Sequence, residues 1–131
     1  MPHLALVDDR PERELILEMT VPGEPLPWQR AARSGHRSYK PAKILNHERT
    51  IELMTLAAGV RNPTRRPVIL DVDFFMGNKR RCDLDNLVKT VGDALNGAAW
   101  EDDSQIIALF AAKLVDRERP RTELRVWAVA E

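Results

Sequence analysis

Cysteine is nearly missing from this sequence: Cys82 stands alone among 131 residues. An internal disulfide is therefore excluded, and a zinc site would need histidines at ligand spacing, which His3, His36 and His47 do not provide. No stretch is long and apolar enough to span a bilayer. Met1 to Arg13 mixes Asp8, Asp9 and Glu12 with Pro2 and Pro11, without the basic start and apolar centre of a secretory leader, so cytoplasmic residence is the expectation. Internal repeats and low-complexity segments are also missing. So is net charge: 20 basic residues balance 20 acidic ones, which excludes a uniformly basic surface of the kind many DNA-binding proteins present.

What is present describes a globular domain, with 44% hydrophobic and 31% charged residues. A chain of this length fits one domain of about 100 to 150 residues, expected here over 13–131 behind a loose tail at 1–12. The charges are segregated. Arg30, Arg33, Arg37, Lys40 and Lys43 follow one another with no acid between them, whereas Asp83, Asp85, Asp93, Glu101, Asp102 and Asp103 crowd a later stretch. That split suits a protein that holds phosphate with one region and a cation with another, or simply two solvated loops of opposite sign.

Hydrophobic period gives the element order. Leu15, Leu17, Met19 and Val21 alternate with polar residues as a half-buried strand, stopped by Pro22, Pro25 and Pro27. The basic loop follows. From Pro41, Ile44, His47, Ile51, Met54 and Ala58 recur at helical spacing until Gly59. Pro67 to Met76 reads as a second strand with Val68, Leu70, Val72 and Phe74 on one face, leaving Asp71 and Asp73 on the outward one. Asp83 to Gly97 is the best-defined helix, with Leu84, Leu87, Val88, Val91 and Leu95 as its apolar stripe and Asp85, Lys89 and Asp93 on an adjoining polar one. Ser104 to Val115 reads as a third strand, apolar enough to be central, and Leu124, Val126 and Ala128 mark the last. The expected fold is α/β in the α+β sense: a single mixed β-sheet with packed helices, in the order β-α-β-α-β-β.

Reactive groups concentrate in Asp83-Leu84-Asp85-Asn86, Lys89 and Asp102-Asp103. Carboxylates that converge raise each other's energy unless a cation neutralises them, and an all-oxygen donor set favours magnesium or manganese over zinc. The plainer explanation makes Asp83 or Asp85 a helix cap and Asp102-Asp103 a turn, which leaves one aspartate at the helix start spare. Lys89, one turn beyond Asp85, is either a surface ion pair or the cation that phosphoryl chemistry needs.

The stretch Arg80 to Ile106, RRCDLDNLVKTVGDALNG through WEDDSQI, resembles the signature of RusA-family Holliday junction resolvases almost position for position. PLPWQRAARSGHRSYKPAK, Pro25 to Lys43, is similar to that family's proline-tryptophan turn and basic loop. The two pieces cover roughly half the chain. The resemblance implies a RusA-like homodimer that binds magnesium, with manganese substituting, and nicks two opposing strands of a four-way DNA junction. It places Asp83, Asp85 and Asp103 at metal-ligand positions, Lys89 at that of the catalytic lysine and Asp102 at a supporting acidic one. Arg30, Arg33, Arg37, Lys40, Lys43, Lys79, Arg80 and Arg81 are the expected phosphate contacts. Cys82 departs from the pattern, standing where arginine is common, and the basic loop is less crowded with lysine than in many members. Trp28 and Trp100 either stack on bases at the junction centre or anchor loops to the core, the core being favoured; Tyr39 is undecided between the same roles.

Other readings remain at this level. Asp71-Val72-Asp73 imitates the strand-end motif of haloacid-dehalogenase-type phosphatases, but that fold starts with the motif and needs more units than the sixty or so residues that follow it, and Phe75 replaces the usual threonine. A non-catalytic junction- or DNA-binding module gains nothing from acids set beside DNA. A nuclease for flaps or forks keeps the same chemistry on another substrate.

Overall fold

The computed structural model describes residues 11–29, 32–34, 37–79 and 81–130. The expected tail therefore lies almost wholly outside the described residues, as do Arg30, Arg80 and the side chains of Arg33, Arg37 and Tyr39. The elements are β1 (Arg13–Pro22), β2 (Ala32–Ser34), β3 (Arg37–Tyr39), α1 (Ala42–Ala57), β4 (Val68–Met76), α2 (Leu84–Leu95), a 3-10 turn (Asp103–Gln105), β5 (Ile106–Val115) and β6 (Arg121–Val129). Four strands form one mixed sheet in the order β1-β6-β4-β5, with β4 and β5 parallel and the other neighbours antiparallel. This is the expected α+β architecture. The addition is a hairpin, β2 with β3, inside what reads as a plain basic loop.

β4 is the hydrophobic spine. Val68, Leu70, Val72, Phe74 and Met76 face the helices and are packed with Leu87, Val91 and Leu95 of α2, Ile51 of α1, and Leu124 and Val126 of β6. The α2 stripe is thus the one its spacing predicts. The helix ends where Gly97 takes φ 84, a conformation that costs a side-chain-bearing residue energy. Trp100 follows immediately and is fully buried, so its indole anchors the turn to the core and does not reach toward bases.

Two expectations change. Asp71 and Asp73 do lie on the face away from the helices, yet each is only 4% exposed. β6 supplies the reason: Arg125, the register partner of Asp71, reaches both carboxylates, at 2.9 Å to Asp73 and 3.4 Å to Asp71. Burial without that guanidinium would be prohibitive. The second change concerns β5, whose sequence IIALFAAKLV suggests a central strand. It stands at the sheet edge, bonded on one side only, with Ile107, Leu109, Leu114 and Val115 exposed.

Candidate metal and phosphate site

The chain leaves β4 at Met76 and enters α2 through Asp83, which occupies the N-cap position in an extended conformation, φ −79 and ψ 131. The Asp83 backbone carbonyl starts the helix by accepting from Asn86 and Leu87. Its carboxylate makes no capping bond. That removes the plainer explanation for this residue, since a capping aspartate spends its side chain on the N–H groups of the first turn. Asp85, one position into the helix, accepts from the Asn86 N–H at 3.0 Å through one oxygen. Both acids are exposed, and both stand at the positive end of the α2 dipole, which favours negative charge there.

Cations surround this pair on three sides. Lys113, projecting from β5, donates to the Cys82 carbonyl at 2.5 Å and so fastens the segment that carries Asp83. An open cavity of about 610 Å³ lies between them, lined by Asp83, Asp85, Val88, Leu109 and Lys113. On the other flank a smaller recess is lined by Trp28, Arg81, Asn86 and again Asp83. Trp28 is held there by its backbone N–H, which donates to the Asn86 carbonyl at 2.8 Å, and the Lys89 ammonium sits 5.0 Å from its ring centroid. Lys89 is thereby parked one turn along from the acids by a cation-π contact. Sequence reasoning missed Lys113 because it is twenty-eight residues beyond Asp85 (113 minus 85), and only the parallel β4-β5 register brings it alongside.

The expected phosphate contacts divide. Lys43 from α1 and Arg81 line one recess together, and Lys79 is exposed nearby in sequence. Lys40 is different: its ammonium bonds both oxygens of Glu48 at 2.9 and 3.0 Å and Asp93 at 3.2 Å. Burial alone would lower its pKa, but the bonds to Glu48 and then Asp93 outweigh this and hold it above the ordinary value. Lys40 is a strut between α1 and α2, with no donor left over for a phosphate by design of its surroundings.

Asp102 and Asp103 lie elsewhere. They form the 3-10 turn that opens β5, where Asp102 makes a capping box with Gln105. Hydrogen bonds from Ser104, its hydroxyl before its backbone N–H, hold the Asp102 carboxyl below its ordinary pKa. Asp103 accepts from the buried Trp100 indole at 2.8 Å. Gln105 ties the turn down by donating to the carbonyls of Thr64 and Arg66, each at 2.8 Å. Lys113 marks the Asp83 end of β5 and Ile106 the Asp103 end, and seven strand residues span about 23 Å. Among the described residues, no three metal-capable side chains gather within one chain. The structure thus brings Asp83 and Asp85 together and leaves Asp103 at the opposite end of the sheet.

Comparison with known proteins adds an independent line. The family model for endodeoxyribonuclease RusA matches residues 22–127. The crossover junction endodeoxyribonucleases RusA of Escherichia coli (strain K12) and Shigella sonnei (strain Ss046) are each 38% identical over 61 residues, 46% of this chain and 51% of theirs. The chain thus matches about half the length of these curated relatives. No described helix is long and apolar enough to cross a membrane. The family match, running from the end of β1 into β6, takes in both helices, both acidic clusters and the basic segment between them: the chain belongs to the RusA endodeoxyribonuclease family.

Proposed function

We propose that this protein is a magnesium-dependent endonuclease that cuts four-way DNA junctions as a homodimer. The observation that carries the reading is Asp83, a helix-start aspartate whose carboxylate is exposed and unspent, beside Asp85 and within a ring of Lys113, Arg81 and Lys89. Two free carboxylates suit magnesium or manganese, which bind hard oxygen donors and keep several waters. The chemistry such an ion supplies is polarisation of a phosphate and a lower pKa for a coordinated water. The chain's own residues do the rest. Arg81, Lys43 and Lys79 bind the phosphate backbone as donors without reading sequence. Lys89, released from the Trp28 ring, offsets charge that develops on the phosphate.

Asp103, about 20 Å from Asp83 in one chain, joins this site only if a second copy presents it. That requirement agrees with the dimeric reading, and a twofold dimer offers two equivalent sites to a nearly symmetric junction.

The test incubates the purified chain with a synthetic four-way junction, linear duplex, flap and single strand, in magnesium and in chelator. Paired nicks in the junction with magnesium, lost in chelator and in Asp85→Asn, are the expected result. Tight junction binding without cleavage would instead establish the non-catalytic module, and preference for the flap would transfer the chemistry to another branched substrate. Cleavage that survives the chelator sinks the metal assignment.

A further inference from the structure

β5 has ten residues, is bonded to β4 alone, and carries the longest uninterrupted apolar run of the sheet's edge. In a strand paired on one side, alternate backbone groups point outward unmet, and a long apolar edge of this kind invites another strand. Natural edges are usually blunted by charge, proline or a bulge. Here the register shift at Val68/Ile69 opposite Ile106 and Ala108 confines the irregularity to the start, and Lys113 is the one charged residue in the strand.

We infer that the free edge of β5 pairs antiparallel with the β5 edge of a second copy, about a twofold axis through Ala111, joining the two four-stranded sheets into one. The inference rests on the dimeric reading above and names its surface. A twofold axis perpendicular to a sheet keeps each side chain on its own face, so the axis must pass through a residue that meets itself. Ala111 is the residue that makes the rest complementary. Phe110 then lies opposite the partner's Ala112, and Leu114 opposite the partner's Ala108, so each bulky side chain meets a small one. Leu109, 48% exposed, and Leu114, 39% exposed, lose solvent on opposite faces of the joined sheet. The outward groups of two such strands supply about ten hydrogen bonds, the number a typical protein interface carries.

Charge points to the same partner. The start of β5 is flanked by exposed Glu101, Asp102 and Asp103, and its end by exposed Lys113, Arg117 and Arg119, with Asp116 already paired to Arg121. Antiparallel pairing sets each acidic end against the partner's basic end. It also carries Asp103 of each copy to the end of the strand where the other copy keeps Asp83 and Asp85. Parallel pairing would do neither.

The experiment uses the full chain in a Cys82→Ser background, without DNA or metal. Ala111→Cys should run as a covalent dimer after mild oxidation, because facing residues in an antiparallel pair have Cα atoms about 4.5 to 5.5 Å apart, within disulfide reach. Ala108→Cys alone should not crosslink, since symmetry sets the two copies of that position about 20 Å apart along the strand. A mixture of Ala108→Cys with Leu114→Cys should crosslink as a heterodimer. Mass measured by light scattering before oxidation should be that of two chains. A monomer in solution overturns the proposal, and so does a dimer whose Ala111→Cys variant keeps its circular dichroism spectrum but stays uncrosslinked. Neither result depends on cleavage, so failure here is distinguishable from failure of the nuclease reading.

Discussion

Removing the Asp83 side chain separates a metal ligand from a helix cap, because the two roles predict opposite combinations of stability and activity. An aspartate that caps a helix loses about 1 kcal/mol, within a range of about 0.5 to 2, on replacement by alanine. Asp83 makes no capping bond. Asp83→Ala should therefore change stability in metal-free buffer by less than about 0.5 kcal/mol, the ordinary range for a surface position. Metal adds a second, independent readout. At magnesium ten times its dissociation constant, binding to the folded state alone contributes RT ln 11, about 1.4 kcal/mol. For a domain of this size that raises the melting temperature by about 6 °C, taking about 4 °C per kcal/mol. The wild-type protein should show this rise on titration with magnesium and Asp83→Ala should not. Since even outer partners of metal ligands commonly cost 10- to 100-fold, junction cleavage by the variant should fall by more than about 100-fold. Differential scanning fluorimetry with and without magnesium, beside single-turnover cleavage, measures all three quantities. A variant that melts several degrees lower without metal, keeps the magnesium shift and still cuts would make Asp83 a cap and refute the site.

Two further outcomes follow from ion pairs that hold the scaffold. Arg125→Met should cost about 3 to 5 kcal/mol by urea denaturation, because it strands Asp71 and Asp73, whose side chains are each 6% exposed; the triple replacement with Asp71→Asn and Asp73→Asn should recover most of that loss, and a single-variant cost under 1 kcal/mol contradicts the pairing. Lys40→Met should cost about 1 kcal/mol, as expected for a partly exposed pair. Its folded pKa lies above the ordinary 10.5, so this contribution is fully present below pH 10.5 and lost as pH rises through the higher folded value. The difference between wild type and variant should accordingly shrink at strongly alkaline pH, and a difference that grows there would show that Glu48 and Asp93 do not hold Lys40 in solution.

Where residues near in sequence decide the structure, the sequence was a sufficient guide. The α2 stripe from Leu84 to Leu95, the alternation of β1 and β6, and the apolar face of β4 all depend on local period, and all stand as their spacing predicts. Partners distant in the chain were not legible. Asp71 and Asp73 alternate with valine and leucine just as solvent-facing residues do, and the guanidinium that lets them be buried arrives fifty-odd residues later. Lys40 sits in a run of basic residues and behaves as one of them until Asp93, 53 positions on, comes within 3.2 Å. The β2-β3 hairpin is three residues a side, too short for any alternation to register. β5 was misjudged for a different reason: a strand destined for burial by a second chain and one buried inside its own sheet carry the same apolar composition, so pattern cannot tell a central strand from an edge that is covered on assembly.

The same topology explains why the acidic clusters stand apart. β4 and β5 are parallel and joined through α2, so the helix must travel back the length of the sheet before β5 can begin. Residues at the start of that helix and residues just beyond its end are therefore at opposite ends of the strands; twelve helical residues alone separate them by about 18 Å. No adjustment of loops within one chain brings Asp103 to Asp83 while this crossover is kept. Reversal of direction is needed, and an antiparallel twofold contact supplies it without altering either fold. One such contact closes two sites at once, one at each end of the joined strands, and in each the carboxylates come from both copies. On this reading the paired cutting of two strands and the stability of the dimer have a common origin in β5. A charge placed at the centre of that strand should then abolish dimer and cleavage together, even though it touches neither Asp83 nor Asp85.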